Sequence, residues 1–256
     1  MKKPFGQNFL FDKNILRKIV ASSSVSDKDT VVEIGPGLGT LTCIIAEKAK
    51  KVIAIEFDKK LITRLQQNVS HLSNVEIVNM DALKFPYETI KGNFMVIANI
   101  PYNITTPLIF RLLEYRAQLQ SMTLLMQREV AKRIVASPGT KDYGVLSLSL
   151  QLRTKPDLKF SVSKTVFSPP PKVDSAVVHF DILHKPPHNI RDEKLFLNIV
   201  KTAFAQRRKI LGNSLKKFDS LQEALQKADI DPKLRPGTLG IEDYARLSNI
   251  FADLIL

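Results

Sequence analysis

Asn99-Ile100-Pro101-Tyr102 is the stretch of this chain best suited to hold an aromatic amine in place for reaction. The exocyclic amine of adenine is a poor nucleophile because its lone pair is delocalised into the ring. Two acceptors that bind its two N–H groups turn that lone pair toward an electrophile, and orientation of this kind lowers the barrier. The Asn99 side-chain oxygen and a backbone carbonyl at Ile100 or Pro101 supply such a pair. Pro101 fixes the local backbone. Tyr102 can stack on the base and stabilise the positive charge that develops on nitrogen as a methyl group arrives. No strong general base is needed, since the methylated amine is acidic enough to lose its proton to water.

A second constellation precedes it. Glu33-Ile34-Gly35-Pro36-Gly37-Leu38-Gly39 lies between a predicted strand and a predicted helix, in a G-x-G-x-G register with Thr40 next. Gly35 and Gly37 let the backbone turn sharply and approach a ligand whose polar end meets helix N-terminal amides. Glu56, 17 residues after Gly39, ends the second strand and can accept both ribose hydroxyls of an adenosine. Asp81 closes the third strand, where a carboxylate can accept from an adenine amino group. These residues suit a nicotinamide dinucleotide and S-adenosylmethionine equally. The fourth strand, ending at Asn99, decides for S-adenosylmethionine, whose sulfonium carries the hard chemistry while the protein supplies placement. An NAD-dependent dehydrogenase leaves Asn99, Pro101 and Tyr102 without a purpose. A non-catalytic RNA-binding assembly factor would have no use for Glu56, Asp81 and Asn99.

The elements that must position these groups follow from the patterning. Strands are predicted at Thr30–Ile34, Val52–Ile55, Val75–Val78, Phe94–Ala98 and Met122–Met126. Helices are predicted at Thr40–Ala49, Lys59–His71, Pro107–Tyr115 and Arg128–Val135. This alternation predicts an α/β fold with a doubly wound parallel sheet. Asp157–Ser161 and Ala176–Ile182 read as a hairpin at the sheet edge. The proline-bearing stretch His184–Asn189 reads as a linker. Beyond it only helices are predicted, at Asp192–Phe204, Leu211–Lys216, Ser220–Ala228 and Ile241–Leu254, a small all-α second domain. The boundaries are therefore 1–184 for a cofactor-binding catalytic domain and 185–256 for a helical one.

A net charge of +13 favours a polyanionic partner, with nucleic acid ahead of anionic membrane. The surplus is not one detachable tail: 25 basic residues face 16 acidic ones up to His184, and 13 face 9 beyond it. No apolar run is long enough to span a bilayer. The mixed stretch from Phe5 to Asn14 argues against a secretory signal. The single cysteine, Cys43, excludes an intramolecular disulfide framework, fits a reducing cytoplasm and reads as a core residue. No metal site is suggested, because Pro186 and Pro187 forbid helical spacing between His184 and His188.

The Asn99-Ile100-Pro101-Tyr102 signature resembles that of the ribosomal RNA adenine N6-methyltransferases, with their KsgA and Erm branches. Three further stretches are similar to that family: Phe5-Gly6-Gln7-Asn8-Phe9-Leu10, Phe167-Ser168-Pro169-Pro170-Pro171-Lys172-Val173-Asp174-Ser175, and Ala203-Phe204-Ala205-Gln206-Arg207-Arg208-Lys209 with Asn213 and Leu215. The likeness runs from about residue 4 to residue 250. Ile100 is the one departure noted, where the KsgA branch more often has Leu; only its backbone is needed.

The resemblance implies a Rossmann-like class I methyltransferase fold, with Asn8 and Leu10 touching the cofactor. Asn99 then serves both catalysis and cofactor binding, and Phe167 stacks the flipped base opposite Tyr102. It also implies RNA contacts from Lys201, Arg207, Arg208, Lys209, Lys216 and Lys217. The KsgA branch would dimethylate N6 of two adjacent adenosines in the 3′-terminal hairpin loop of 16S ribosomal RNA, within an assembling 30S subunit. The Erm branch would act on a single adenosine of large-subunit RNA. The stretches Arg235–Leu247 and Gln127–Ala131 resemble the KsgA branch. A cytoplasmic monomer is expected.

Overall fold

The computed structural model describes residues 8–185 and 188–255. Phe5, Gly6 and Gln7 of the N-terminal motif lie outside the described residues. The first part of the chain forms β1 (Phe9–Leu10), α1 (Lys13–Ala21), β2 (Thr30–Ile34), α2 (Thr40–Ala46), β3 (Lys51–Glu56), α3 (Lys59–Val69) and β4 (Val75–Asn79). It continues through β5 (Phe94–Asn99), α4 (Thr105–Leu113), β6 (Leu119–Gln127), α5 (Arg128–Val135), α6 (Val145–Gln151), β7 (Thr154–Val162), β8 (Phe167–Ser168) and β9 (Ser175–Ile182). Helices α7 (Glu193–Ala205), α8 (Leu211–Ser214), α9 (Leu221–Lys227) and α10 (Ile241–Ile255) complete it.

The main sheet has the order β4-β3-β2-β5-β6-β9-β7. Pairings among β4, β3, β2, β5 and β6 are parallel, and β9 joins β6 antiparallel. This is the α/β doubly wound arrangement that the alternation predicts. β7 and β9 stand side by side at the edge, where the sequence suggested a hairpin. From β2 the chain winds outward through β3 to β4, then returns to lay β5 on the other side of β2. The order therefore reverses between β2 and β5, and open α/β sheets bind ligands outside the carboxyl ends of strands at such a reversal.

Helix α1 starts where Asp12 accepts from the backbone amides of Asn14 and Ile15 at 2.8 and 3.2 Å. It buries Leu16, Ile19 and Val20. Helix α2 adds Leu41, Ile44 and Ile45, and together they pack on Val31, Val52, Ile97, Leu125 and Val177 of the sheet. Helix α3 is capped by Asp58, which accepts from the Lys60 amide at 3.0 Å. A separate ladder pairs Phe9 with Ser168 and Leu10 with Phe167, binding the N-terminal segment to the stretch after the sheet.

Contacts divide the chain into two units: residues up to Ala131 with Lys155–Ile182, and Lys132–Thr154 with the chain from Leu183 onward. This differs from a boundary at residue 184, because Lys132–Thr154 supplies part of the helical unit's core. Ala136, Tyr143, Leu148 and Leu152 pack with Phe196, Ile199, Val200, Leu211 and Phe251. Gln151 donates to the Ile134 and Ala136 carbonyls, and the Tyr143 hydroxyl donates to the Leu239 carbonyl at 3.0 Å. Arg207 donates to the carbonyls of Lys141 and Thr140 at 2.7 and 2.9 Å, fastening that loop to the end of α7. No helix among the described residues is long and apolar enough to cross a membrane.

The Arg207 bonds separate it from its neighbour. Arg207→Ala is expected to cost about 1 kcal/mol, the scale of an intramolecular hydrogen bond at an exposed site, while Arg208→Ala leaves stability unchanged. Urea denaturation of both variants measures the difference, and equal midpoints would remove the structural role from Arg207.

Candidate active site

The parallel register ends adjacent strands at one level. Glu56 closes β3 opposite Asn79 of β4, and the pairing of Val31 with Met95 and Val32 with Val96 brings Gly35 abreast of Asn99. A Cβ on Gly35 would lie 3.6 Å from the Pro101 ring and 3.9 Å from the Asn99 carbonyl oxygen. The two sides of the strand reversal therefore meet at these residues.

Glu56 is 5% exposed. Its carboxylate accepts from the Gly37 amide at 3.0 Å and from the Asp58 amide at 2.8 Å. One side chain thus ties the glycine loop to the start of α3. Burial pushes its pKa up, and these backbone donors oppose the rise. Gly37 sits at φ +60°, and a Cβ there would come within 2.9 Å of the Phe9 ring. Only glycine satisfies both the dihedral and the contact without strain. Asp81 is half-buried beyond β4, with Oδ1 accepting from the Leu83 amide at 2.9 Å. That turn orients its carboxylate.

On the β5 side, the Asn99 amide nitrogen donates to the Asn8 carbonyl at 3.4 Å. The bond engages the donor end of the side chain and leaves Oδ1 as an acceptor. The Pro101 carbonyl accepts from the Ile104 amide at 3.1 Å as the chain turns through Tyr102–Ile104. The Tyr102 hydroxyl is hydrogen-bonded to Ser175 Oγ at 2.7 Å, which fixes the ring.

Asn8, Leu10, Gly35, Gly37, Glu56, Asp81, Asn99, Pro101 and Tyr102 all line one cavity of about 290 Å³. Phe167 does not. It is 4% exposed, paired to Leu10 and packed in the core with Leu16, Leu125 and Val177. Lys201, Arg207, Arg208, Lys209, Lys216 and Lys217 are exposed in the helical unit. Sequence reasoning missed Phe57 and Met80, which line the cavity while 56% and 40% exposed. Their signal was position: each is an apolar residue beside an acid, Glu56 or Asp81. It also missed Glu33, a cavity-lining carboxyl that is 1% exposed. Burial pushes the Glu33 pKa up to about 8; the Thr42 hydroxyl opposes the rise, and the charge of Glu56 adds to it. Among the described residues, no group of three or more His, Cys, Asp or Glu could hold a metal ion.

The profile of the family described as ribosomal RNA adenine dimethylase matches residues 1–253. The chain belongs to that family. The dimethylase is 44% identical to ribosomal RNA small subunit methyltransferase A of Caldanaerobacter subterraneus, across 99% of this chain and 98% of the relative. It is 43% identical to the protein of the same name from a Geobacillus species, across 97% of this chain and 90% of that one. Among solved structures, a dimethyladenosine transferase from Plasmodium falciparum superposes with a TM-score of 0.80 at 27% identity, covering 93% of this chain and 95% of that one. The 23S rRNA methyltransferase ErmE superposes at 0.77 with 25% identity, covering 96% and 100%. These likenesses identify the enzyme as a ribosomal RNA adenine dimethyltransferase with a class I methyltransferase fold.

The raised Glu33 pKa has a consequence for stability. The folded chain retains a proton there that the unfolded chain releases between its ordinary 4.5 and about 8, so stability falls as pH rises through that window. Glu33→Gln removes this slope. Its melting temperature is expected to exceed that of the parent by more at pH 8 than at pH 5. A gap that is constant across that range would contradict the burial account.

Proposed function

We propose that this enzyme uses S-adenosylmethionine to dimethylate N6 of two adjacent adenosines in the 3′-terminal hairpin loop of 16S ribosomal RNA. It does so on an assembling small subunit, in the cytoplasm and as a monomer. The observation that carries the chemistry is the convergence of Gly37, Glu56, Asp81 and Asn99 on one cavity. The substrate rests on the near full-length likeness to proteins named small subunit methyltransferase A.

The residues present fit the cofactor. Glu56 is held by two backbone amides and retains lone pairs for ribose hydroxyls. Asp81 accepts from the adenine amino group, and Phe57 and Met80 offer apolar faces to its ring. A side chain at Gly37 would collide with the Phe9 ring, which also lines the cavity. When bound, S-adenosylmethionine supplies an activated methyl group on a sulfonium.

At the reacting amine, the two acceptors are Asn99 Oδ1 and a backbone carbonyl. The Pro101 carbonyl already accepts from the Ile104 amide, so the carbonyl of Ile100 is the preferred second acceptor. Tyr102 stacks on the base, its ring steadied by Ser175. A target base must leave its stack to reach this site. Phe167 would stack on that base only if the β1–β8 ladder opens, since its ring is buried. Lys201, Arg208, Lys209, Lys216 and Lys217 grip neighbouring phosphates. Arg207 contributes charge while its guanidinium holds the Thr140–Lys141 loop.

Two tests follow. Asn99→Ala should still bind S-adenosylmethionine, with a loss of affinity smaller than its loss of rate, and transfer methyl groups to unmodified small subunits about 100-fold more slowly or worse, the scale of losing one preorganised hydrogen-bonding group. Undiminished transfer in that variant would refute the mechanism. Arg208→Glu with Lys209→Glu should weaken binding to the particle and flatten its salt dependence, by roughly one unit of log–log slope per lost contact. Binding curves that superpose on the parent's at every salt concentration would exclude these residues from the interface.

A further inference from the structure

Two acceptors on an exocyclic amine do not by themselves select adenine. Guanine is refused, since its O6 would face both acceptors, but cytosine presents the same two N–H groups with a ring nitrogen beside them. Adenine differs on the other side of the amine, where N7 is an acceptor and cytosine carries only C–H. Stacking on Tyr102 tolerates any base, because every base has a π-face. An adenine-selective site therefore needs a hydrogen-bond donor close to Asn99 that reaches N7.

Few side chains in the cavity can donate. Among the described residues that line it there is no Lys, Arg or His. The amide and hydroxyl donors are Asn8, Thr40, Asn99, Tyr102 and Asn103. Asn99 directs its amide nitrogen to the Asn8 carbonyl at 3.4 Å, and the Tyr102 hydroxyl is engaged with Ser175 Oγ at 2.7 Å. Thr40 opens α2 behind the glycine loop and Asn8 precedes β1, both on the cofactor's side in the reading above. Asn103 remains. Its side chain is exposed, lines the cavity and makes no hydrogen bond among the described residues.

The backbone that carries Asn103 is held at both ends. Tyr102–Ile104 form one short turn, closed by the Ile104 amide donating to the Pro101 carbonyl at 3.1 Å. Before the turn, the Ile100 amide donates to the Leu125 carbonyl at 3.2 Å. After it, α4 buries Leu108, Ile109 and Leu112. Asn103 is thus presented beside the ring on which the base stacks and four residues after the side chain that holds the amine.

We infer that Asn103 is the residue that selects adenine: its side-chain amide donates to N7 of the flipped base, while Asn99 Oδ1 and the Ile100 carbonyl hold the N6 amine. The inference rests on the function proposed above and adds a specificity-determining residue to it.

Small subunits assembled on 16S RNA with a synthetic 3′-terminal hairpin test this. The two target positions carry adenosine, 7-deazaadenosine, 1-deazaadenosine or cytidine. Rates of methyl transfer at limiting subunit concentration are compared for the parent, Asn103→Ala and Asn103→Asp, with S-adenosylmethionine affinity as the check on folding. The parent should act on 7-deazaadenosine about tenfold more slowly than on adenosine, the scale of one hydrogen bond. Asn103→Ala should lose that factor on adenosine and nothing further on 7-deazaadenosine, and its preference for adenosine over cytidine should narrow equally. Asn103→Asp, which keeps the size and removes the donor, should lose at least as much on adenosine. Cofactor affinity should be unchanged throughout. A parent indifferent to the loss of N7 overturns the inference. So does an equal loss on adenosine and 7-deazaadenosine in Asn103→Ala, or failure of both variants to bind the cofactor, either of which would make the effect structural. A variant whose loss disappears on 1-deazaadenosine instead would move the contact to N1 and overturn it too. A parent that transfers nothing to adenosine-bearing subunits overturns the substrate reading, and the inference with it.

Discussion

Parallel pairing of Glu33 with Ala54, Ile34 with Ile55 and Glu56 with Asn79 ends neighbouring strands on one edge of the sheet. The site depends on this constraint, because a slip of one residue in any strand would turn its terminal side chain to the other face. The core beneath makes such a slip costly. Val31, Val52, Ile97 and Leu125 are buried under α1 and α2, and a shifted register would expose them. Buried apolar packing on one face thus fixes where the polar groups stand at the edge. The Glu56 carboxylate extends the constraint into the loops, since its bonds to the Gly37 and Asp58 amides couple the glycine turn to the cap of α3.

The same economy of contacts links the two halves of the site. The N-terminal segment reaches Asn99 through the Asn8 carbonyl and reaches the stretch after the sheet through the β1–β8 ladder. Ser175, first residue of β9, holds the Tyr102 hydroxyl, and Asp174 beside it pairs with Arg128 at the start of α5. Cavity residues on the two sides of the strand reversal are therefore held by one another as well as by the sheet. Electrostatics divides the molecule differently: in a chain of net charge +13, Glu33, Glu56, Asp58 and Asp81 line the cavity.

How much of this was legible in the sequence depends on whether the signal is local. Thr30–Ile34 and Arg128–Val135 could be delimited in full, because their runs are bounded by turn residues or by a preceding strand. Gly35, Glu56, Asp81 and Asn99 could be chosen because each follows an apolar run at the level where strands end. The β1–β8 ladder could not be read, since two-residue strands carry no periodicity and their partners are far apart in the chain. Helix α6 was missed for a related reason. Its Val145-Leu146-Ser147-Leu148-Ser149-Leu150 alternates like a strand, and only the surrounding core and the bond from Ser147 to the Arg133 carbonyl make it helical. Side-chain roles that depend on burial were equally hidden. Nothing in the letters distinguishes a stacking Phe167 from a packed one, or a free Arg207 from one engaged with two carbonyls.

In the proposed reaction, this fold orients one adenine amine at a time toward an activated methyl group, on small-subunit RNA. Nuclease fragmentation and mass spectrometry of 16S RNA, after unmodified small subunits are incubated with the enzyme and S-adenosylmethionine, address that claim most directly. The predicted product is a single 3′-terminal hairpin fragment carrying two adjacent N6,N6-dimethyladenosines. Methyl groups at any other atom, or only on large-subunit RNA offered in parallel, would contradict it.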